Sequence, residues 1–168
     1  MIGMRTRRIK VGTCVLLAPL YHPVRLAEDI AIVDQATKGR FITAAGIAYQ
    51  PADFDQFGVN IKQRVGRTEE VVEVLRKAAG GERFSHASKY HKIENVRVTP
   101  RTYQPGGPPI WMAGWVPEGI ARAGRIWIVR SLVRLAPQLR RLGLGAWVPV
   151  LGDPDLVPVK DSDSPVYL

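Results

Sequence analysis

At 168 residues, 46% of them hydrophobic, the chain is long enough for one globular domain with a core of its own. No apolar run reaches the roughly 20 residues that a bilayer-spanning helix needs, and the single cysteine, Cys14, excludes an intrachain disulfide framework and fits a reducing, cytoplasmic setting. A formal charge of +9 and an isoelectric point near 10.1 raise nucleic acid, anionic membrane or a phosphorylated ligand as partners.

The arginines, however, are scattered and do not interleave with aromatic residues as a single-strand platform requires. The charge therefore reads as a solvated surface, with neither nucleic acid nor membrane expected as a partner. Arg5, Arg7, Arg8 and Lys10 ahead of the apolar run Val11 to Leu20 imitate a secretory signal. Gly12 and Thr13 interrupt that run, and no small-x-small cleavage site follows it, so a cytoplasmic protein is expected.

In chain order, Ile9 to Leu17 is β-branched and apolar without clean alternation, which predicts a strand buried on both faces. It carries a Gly-Thr-Cys interruption at 12–14. Pro23 suits the first position of a helix, and Leu26, Ile30 and Val33 recur at helical spacing, with Glu28 and Asp29 in the early turns. Lys38 and Gly39 supply the stop, and Arg40 to Ile47 is the next buried strand. The connection Ala48 to Gly58 is read as a long loop, a length more often functional than idle. Thr68 to Ala79 is a helix with Val71, Leu75 and Ala78 on one face, ended by Gly80 and Gly81. Phe84 to Val98 is an excursion with two short strands.

Pro100 to Pro109 is a proline- and glycine-rich connector. Ile110 to Gly114 is a third buried strand, and Pro117 opens a third helix. The alternation of strands and helices predicts an α/β fold with parallel strands and right-handed helical crossovers. After Arg125 the character changes. Ser131 to Arg141 has a basic amphipathic pattern that Pro137 breaks, and Pro154, Pro158 and Pro165 alternate with Asp and Val. The organisation expected is one domain over 1–126 and a divergent, loosely packed tail over 127–168.

Several segments together carry a family resemblance. They are Val11-Gly-Thr-Cys-Val-Leu-Leu17, His22-Pro-Val-Arg-Leu-Ala-Glu-Asp-Ile-Ala31, Lys38-Gly-Arg-Phe41, Asp53-Phe-Asp-Gln-Phe-Gly58 with Arg67-Thr-Glu-Glu70, and Gln104-Pro-Gly-Gly-Pro-Pro-Ile-Trp111. In this order and spacing, the chain from about Thr6 to Arg125 resembles the bacterial luciferase-like monooxygenases, the flavin- and deazaflavin-dependent oxidoreductases. The resemblance implies a partial (β/α)8 TIM-type barrel whose first strand here is about the barrel's third, so that the chain looks like an internal fragment. It implies an FMN or deazaflavin coenzyme bound at the carboxyl ends of the strands. The chemistry implied is hydride transfer, or insertion of one oxygen atom from O2 into a small organic substrate.

The resemblance assigns residues. The third barrel strand ends in a bulge supporting the flavin ring, often with a non-proline cis peptide; Thr13, Cys14 and Val15 match it, with the cis bond at Cys14–Val15. Without the resemblance, the same residues read as a plain buried strand whose small thiol fills a gap. The fourth strand ends in a glycine-rich turn, matched by Gly46, Ile47, Ala48 and Tyr49. Ala44 and Ala48 stand where glycines are usual, so positive φ or close approach becomes costly there. Ile47 stands where some members hold phosphate with arginine. The fifth strand delivers the cofactor phosphate to a helix start, matched by Gly114, Trp115 and Val116 before Pro117 to Gly119. The family's catalytic histidine comes from strands absent here, so the catalytic residue is unknown.

The remaining candidates read as structural. His22 is a cap or loop residue, His86 and His91 are exposed in the excursion beside Tyr90, and Glu69 and Glu70 are ordinary helix-start acids. No metal-ligand spacing is present. Three functions are thus open: a flavin-dependent oxidoreductase or monooxygenase, an inactive truncated remnant that self-associates through open edges, and, on charge alone, a basic nucleic-acid-binding module.

Overall fold

The computed structural model describes residues 2–114 and 146–149, with backbone only for 113–114 and 146–149. A short helix α1 (Ile2–Arg5) leads to two strand pieces, β1 (Val11–Gly12) and β2 (Leu16–Leu17), and a 3-10 turn over Ala18–Leu20. Helix α2 (Pro23–Thr37), strand β3 (Phe41–Gly46), helix α3 (Pro51–Gln56), a 3-10 turn over Ile61–Gln63 and helix α4 (Arg64–Ala79) follow. The hairpin β4 (Phe84–Ala87) and β5 (Lys92–Val96) precedes β6 (Ile110–Gly114) and β7 (Ala146–Pro149).

Proline opens α2 and α3 where its missing N–H costs nothing. Helix α2 stops because Lys38 and Gly39 both turn left-handed, at φ 53° and 78°. The α3 turn lies inside the segment expected to be loop. Its start signal was present in Pro51 and Asp53, and Phe54, 1% exposed, pins it to the body. Helix α4 begins at Arg64 rather than Thr68, despite Gly66 in its first turn. A Cβ at Gly66 would meet the Tyr90 hydroxyl at 2.5 Å, so glycine there admits the hairpin's tyrosine.

The sheet runs β1–β3–β6–β7, with β2 also paired to β3. β1, β2, β3 and β6 are mutually parallel where they pair, as the strand–helix alternation requires. β7 departs from the all-parallel expectation, because it pairs antiparallel with β6. The helix expected from Pro117 and the rest of that tail lie outside the described residues.

Helices α2 and α4 cover one face of the sheet. Leu26, Ala27, Ile30 and Ala31 of α2 pack with Val71, Val72, Leu75 and Ala78 of α4 against Phe41, Ala45, Ile110 and Met112. Each large aliphatic side chain buried there contributes about 1.5–3 kcal/mol. Val33, expected on the packed face, is instead exposed, and Asp34 takes the inward position. Asp34 is 0% exposed and accepts from Gln104 N–H at 2.9 Å and Gln104 Nε2 at 2.7 Å. Gln104 Nε2 also donates to the Phe41 carbonyl at 3.0 Å, so this buried carboxylate ties α2 and β3 to the connector before β6.

Candidate functional site at the carboxyl ends of the parallel strands

The expected first strand is broken in two by a bulge. Val11 and Gly12 face Phe41 and Ile42, whereas Leu16 and Leu17 face Ala45 and Gly46. Thr13, Cys14 and Val15 therefore stand opposite only Thr43 and Ala44, one residue more than the ladder accommodates. The Thr13 hydroxyl bridges the gap. It donates to the Ala44 carbonyl at 2.7 Å and accepts from the Ala44 N–H at 2.9 Å. The Cys14–Val15 peptide is cis. Cys14 is exposed, as is Gly12, so the strand is not buried on both faces and the thiol fills no gap. The reason is that the two helices cover only one face of the sheet. A Cβ at Gly12 would lie 2.7 Å from the Ile42 carbonyl, so glycine permits the close backbone approach just ahead of the bulge.

Strand register brings the other candidate turns to the same end. Ala45 pairs with Met112, which sets Gly46 level with Ala113 and next to Gly114. Beyond Gly46, Ile47 is half-buried, Ala48 is buried and Tyr49 is 66% exposed. Ala48 adopts φ 56°, the left-handed conformation that its Cβ disfavours. Strand alternation turns Ala44 and its register partner Trp111 away from the helix-covered face, and the buried Trp111 indole Nε1 has no hydrogen-bond partner among the described residues. Trp115 and Val116 lie outside the described residues, so of the third turn only the Gly114 backbone is placed.

A polar cluster that sequence reasoning missed lies on the outer side of α4. His86, 6% exposed, and Glu70, 5% exposed, are buried rather than surface residues. His86 Nε2 is 3.1 Å from Glu70 Oε1, and its Nδ1 is 3.2 Å from Lys77 Nζ. A carboxylate only accepts, so Nε2–H points at Glu70, while Nδ1 lies between Lys77 Nζ and Glu73 Oε1, the latter 3.5 Å away. Ser88 Oγ donates to the same carboxylate oxygen. His91 Nδ1 lies 3.1 Å from Glu70 Oε2, off the hydrogen-bonding direction, and its ring meets His22 edge-on at 5.1 Å. Burial and the neighbouring His91 hold the His22 imidazole below its ordinary range, against the opposing pull of Glu70. The cluster clamps the β4–β5 hairpin to α4. Among the described residues no group of three or more His, Cys, Asp or Glu is arranged to hold a metal ion.

Comparison with known proteins gives this geometry a context. The pattern of the luciferase-like monooxygenases matches residues 1–133. The uncharacterised protein y4vJ of Sinorhizobium fredii is 36% identical over 139 residues, covering 83% of this chain and 40% of that protein. Among solved structures, monooxygenase RslO1 from Streptomyces bottropensis superposes with a TM-score of 0.68 at 30% identity, over 73% of this chain and 38% of that one. The coenzyme F420-dependent tetrahydromethanopterin reductase of Methanopyrus kandleri gives 0.61 at 25% identity, over 73% and 39%. The chain thus spans at most 40% of the length of these proteins. With its parallel α/β core and the match across residues 1–133, the chain belongs to the luciferase-like monooxygenase family.

Proposed function

We propose that this chain supplies part of a (β/α)8-type barrel that binds a flavin, FMN or a deazaflavin coenzyme, at the carboxyl ends of β2, β3 and β6. There it would serve an oxidoreductase or monooxygenase acting on a small organic substrate. The observation that carries the reading is convergence: the Thr13–Val15 bulge, the Gly46–Tyr49 turn and Gly114 all lie at one end of the parallel sheet. That end fits a planar ring. Gly12 and Cys14 leave the face beside β1 open, Trp111 Nε1 has no partner among the described residues, and the bulge is held by its own side chain rather than by the ladder. When bound, the flavin supplies the redox chemistry, and the protein orients it and excludes water. The F420 dependence of the Methanopyrus reductase supports the flavin class and the likeness to RslO1 the monooxygenase chemistry, and neither separates FMN from a deazaflavin. The cytoplasm remains the expected compartment; no helix among the described residues is long and apolar enough to cross a membrane.

A second reading, an inactive remnant that self-associates, is favoured by one observation. The edge of β1 and β2 away from β3 pairs with no strand among the described residues. One titration separates the two. Binding of FMN or of the deazaflavin coenzyme, seen as fluorescence quenching and a shifted visible spectrum, supports the enzyme reading. A chain that binds neither and sediments as a self-associated species supports the remnant.

A further inference from the structure

We infer that Thr13 is a positioning residue that holds the Cys14–Val15 bulge out of the sheet, and that its hydroxyl is not a ligand contact. The inference rests on the flavin reading above and deepens it.

In a parallel ladder the N–H and C=O of one residue point to the same neighbour and bond to two of its residues. On β3 the groups of Ile42 and Ala44 point toward β1 and β2, since Val11 N–H donates to the Arg40 carbonyl and Thr13 N–H to that of Ile42. Thr43 points the other way, with its N–H on the Pro109 carbonyl. Ala44 should therefore receive its two bonds from the backbone of residues 13 and 15. Its N–H donates to the Thr13 hydroxyl at 2.9 Å instead of to the Thr13 carbonyl, and its carbonyl accepts from the same hydroxyl at 2.7 Å while the Leu16↔Ala45 pairing directs the Leu16 N–H, not that of Val15, at it. The side chain stands in for the Thr13 carbonyl as acceptor, and Ala44, 3% exposed, is left with no unpaired polar group. Among the described residues, the N–H groups of Cys14 and Val15 have no acceptor. The Val15 N–H is the one released by the substitution, and both sit at the carboxyl end of the strand. A planar heterocycle with ring carbonyls has the acceptors to meet them.

Serine keeps the hydroxyl, and valine keeps the shape without it. In the full 168-residue chain, Thr13→Val is expected to speed hydrogen exchange of the Ala44 amide about tenfold or more and to weaken flavin binding by a similar factor. The Thr43 amide, which bonds across to β6, serves as the internal reference and should not change. Thr13→Ser should restore both properties. The probes are FMN and the deazaflavin coenzyme, titrated separately. Equal Ala44 exchange in the wild type and Thr13→Val overturns the inference, as does equal flavin binding. If Thr13→Val does not fold, Thr13→Ser decides alone: loss of Ala44 protection or of binding in that variant overturns it. A wild-type chain that binds neither flavin sinks the flavin reading, and the positioning role with it, whereas a wild-type chain that binds beside a Thr13→Val variant that binds equally well sinks this inference only.

Discussion

His86 donates from Nε2 to the carboxylate of Glu70 across 3.1 Å, with the two side chains only 5% and 4% exposed. Ser88 in the hairpin turn donates to the same oxygen, so one buried carboxylate on α4 holds β4 and the turn that follows it. Removing that anion leaves buried donors with nothing to bond. Glu70→Ala is expected to cost about 3 kcal/mol of stability, with Glu70→Gln losing less because it keeps an acceptor oxygen. Urea unfolding monitored by tryptophan fluorescence measures it. A loss below about 0.5 kcal/mol for the alanine variant would mean that the hairpin is held by other contacts.

Acid should loosen the same region. His22 has its folded-state pKa lowered from 6.5, chiefly by burial and then by the nearby His91. Between that lowered value and 6.5 the unfolded chain binds more protons than the folded one. The contribution of His22 is therefore complete above pH 6.5 and falls as the pH drops below it, levelling off beneath the folded pKa. Glu73 is lowered from 4.5, first by its hydrogen bond with Lys77, so its contribution is present above 4.5 and is lost further into acid. Replacing His22 by glutamine should flatten the stability profile just below pH 6.5 and leave the Glu73 region unchanged. Unfolding midpoints taken every half unit from about pH 3 to 8 check this; parallel profiles for both proteins would contradict it.

These two regions also show where sequence reasoning reached and where it stopped. Helix starts at Pro23, the stop at Lys38–Gly39 and the packed face Val71, Leu75, Ala78 were legible because each depends on neighbours within a turn or two. The Glu70–His86–His91 cluster was not, because both histidines lie 16 residues or more from Glu70 and meet it only when the hairpin folds back on α4. Glu70 and Glu69 look alike in sequence, yet Glu70 is buried and Glu69 is exposed. The break at Gly12–Cys14 was visible as an interruption, but its physical form was not. That form depends on a threonine hydroxyl reaching across to Ala44, 31 residues away.

Gly12 gives a steric prediction. Alanine there places a methyl 2.7 Å from the Ile42 carbonyl, a backbone atom that cannot swing aside without breaking the β1–β3 pairing. Gly12→Ala is expected to destabilise by about 2 kcal/mol, within the usual range for overpacking. Gly106, where no atom lies within 4 Å but φ is +77°, should lose only about 1 kcal/mol as alanine, from conformational strain alone. Thermal melts of the two variants in parallel test the ranking, and a Gly106→Ala loss equal to that of Gly12→Ala would contradict it.

Asp34 separates charge from shape. Both of its oxygens accept from Gln104, one from the backbone N–H and one from the side-chain amide. In Asp34→Asn the new amide turns a donor toward one of those donors at a position that is 0% exposed. The expected loss is about 2 kcal/mol despite near-identical volume, with faster hydrogen exchange at the Gln104 amide. Simultaneous Gln104→Leu should recover part of that loss, since it removes the side-chain donor that asparagine leaves opposed. A double variant no more stable than the single one would show that the Gln104 side chain is not the partner that matters.

Ala48 makes the opposite kind of prediction, a substitution that should help. It follows β3 by two residues, is 6% exposed and holds φ 56°, where an L-residue with a Cβ is strained by about 1–2 kcal/mol. Glycine removes that strain but adds freedom to the unfolded chain, which offsets up to about 1 kcal/mol of the gain. Ala48→Gly should therefore be neutral to about 1 kcal/mol stabilising, whereas Ala48→Val, with a branched β-carbon in the same conformation, should destabilise clearly. The sign matters for function as well as for stability. If the turn after β3 lies against a flavin, the glycine variant brings backbone closer to the ring without loss of binding, while the valine variant weakens binding. Equal stabilities for the alanine, glycine and valine forms would show that residue 48 relaxes out of the left-handed region in solution, and the Gly46–Tyr49 turn would then need a different geometry.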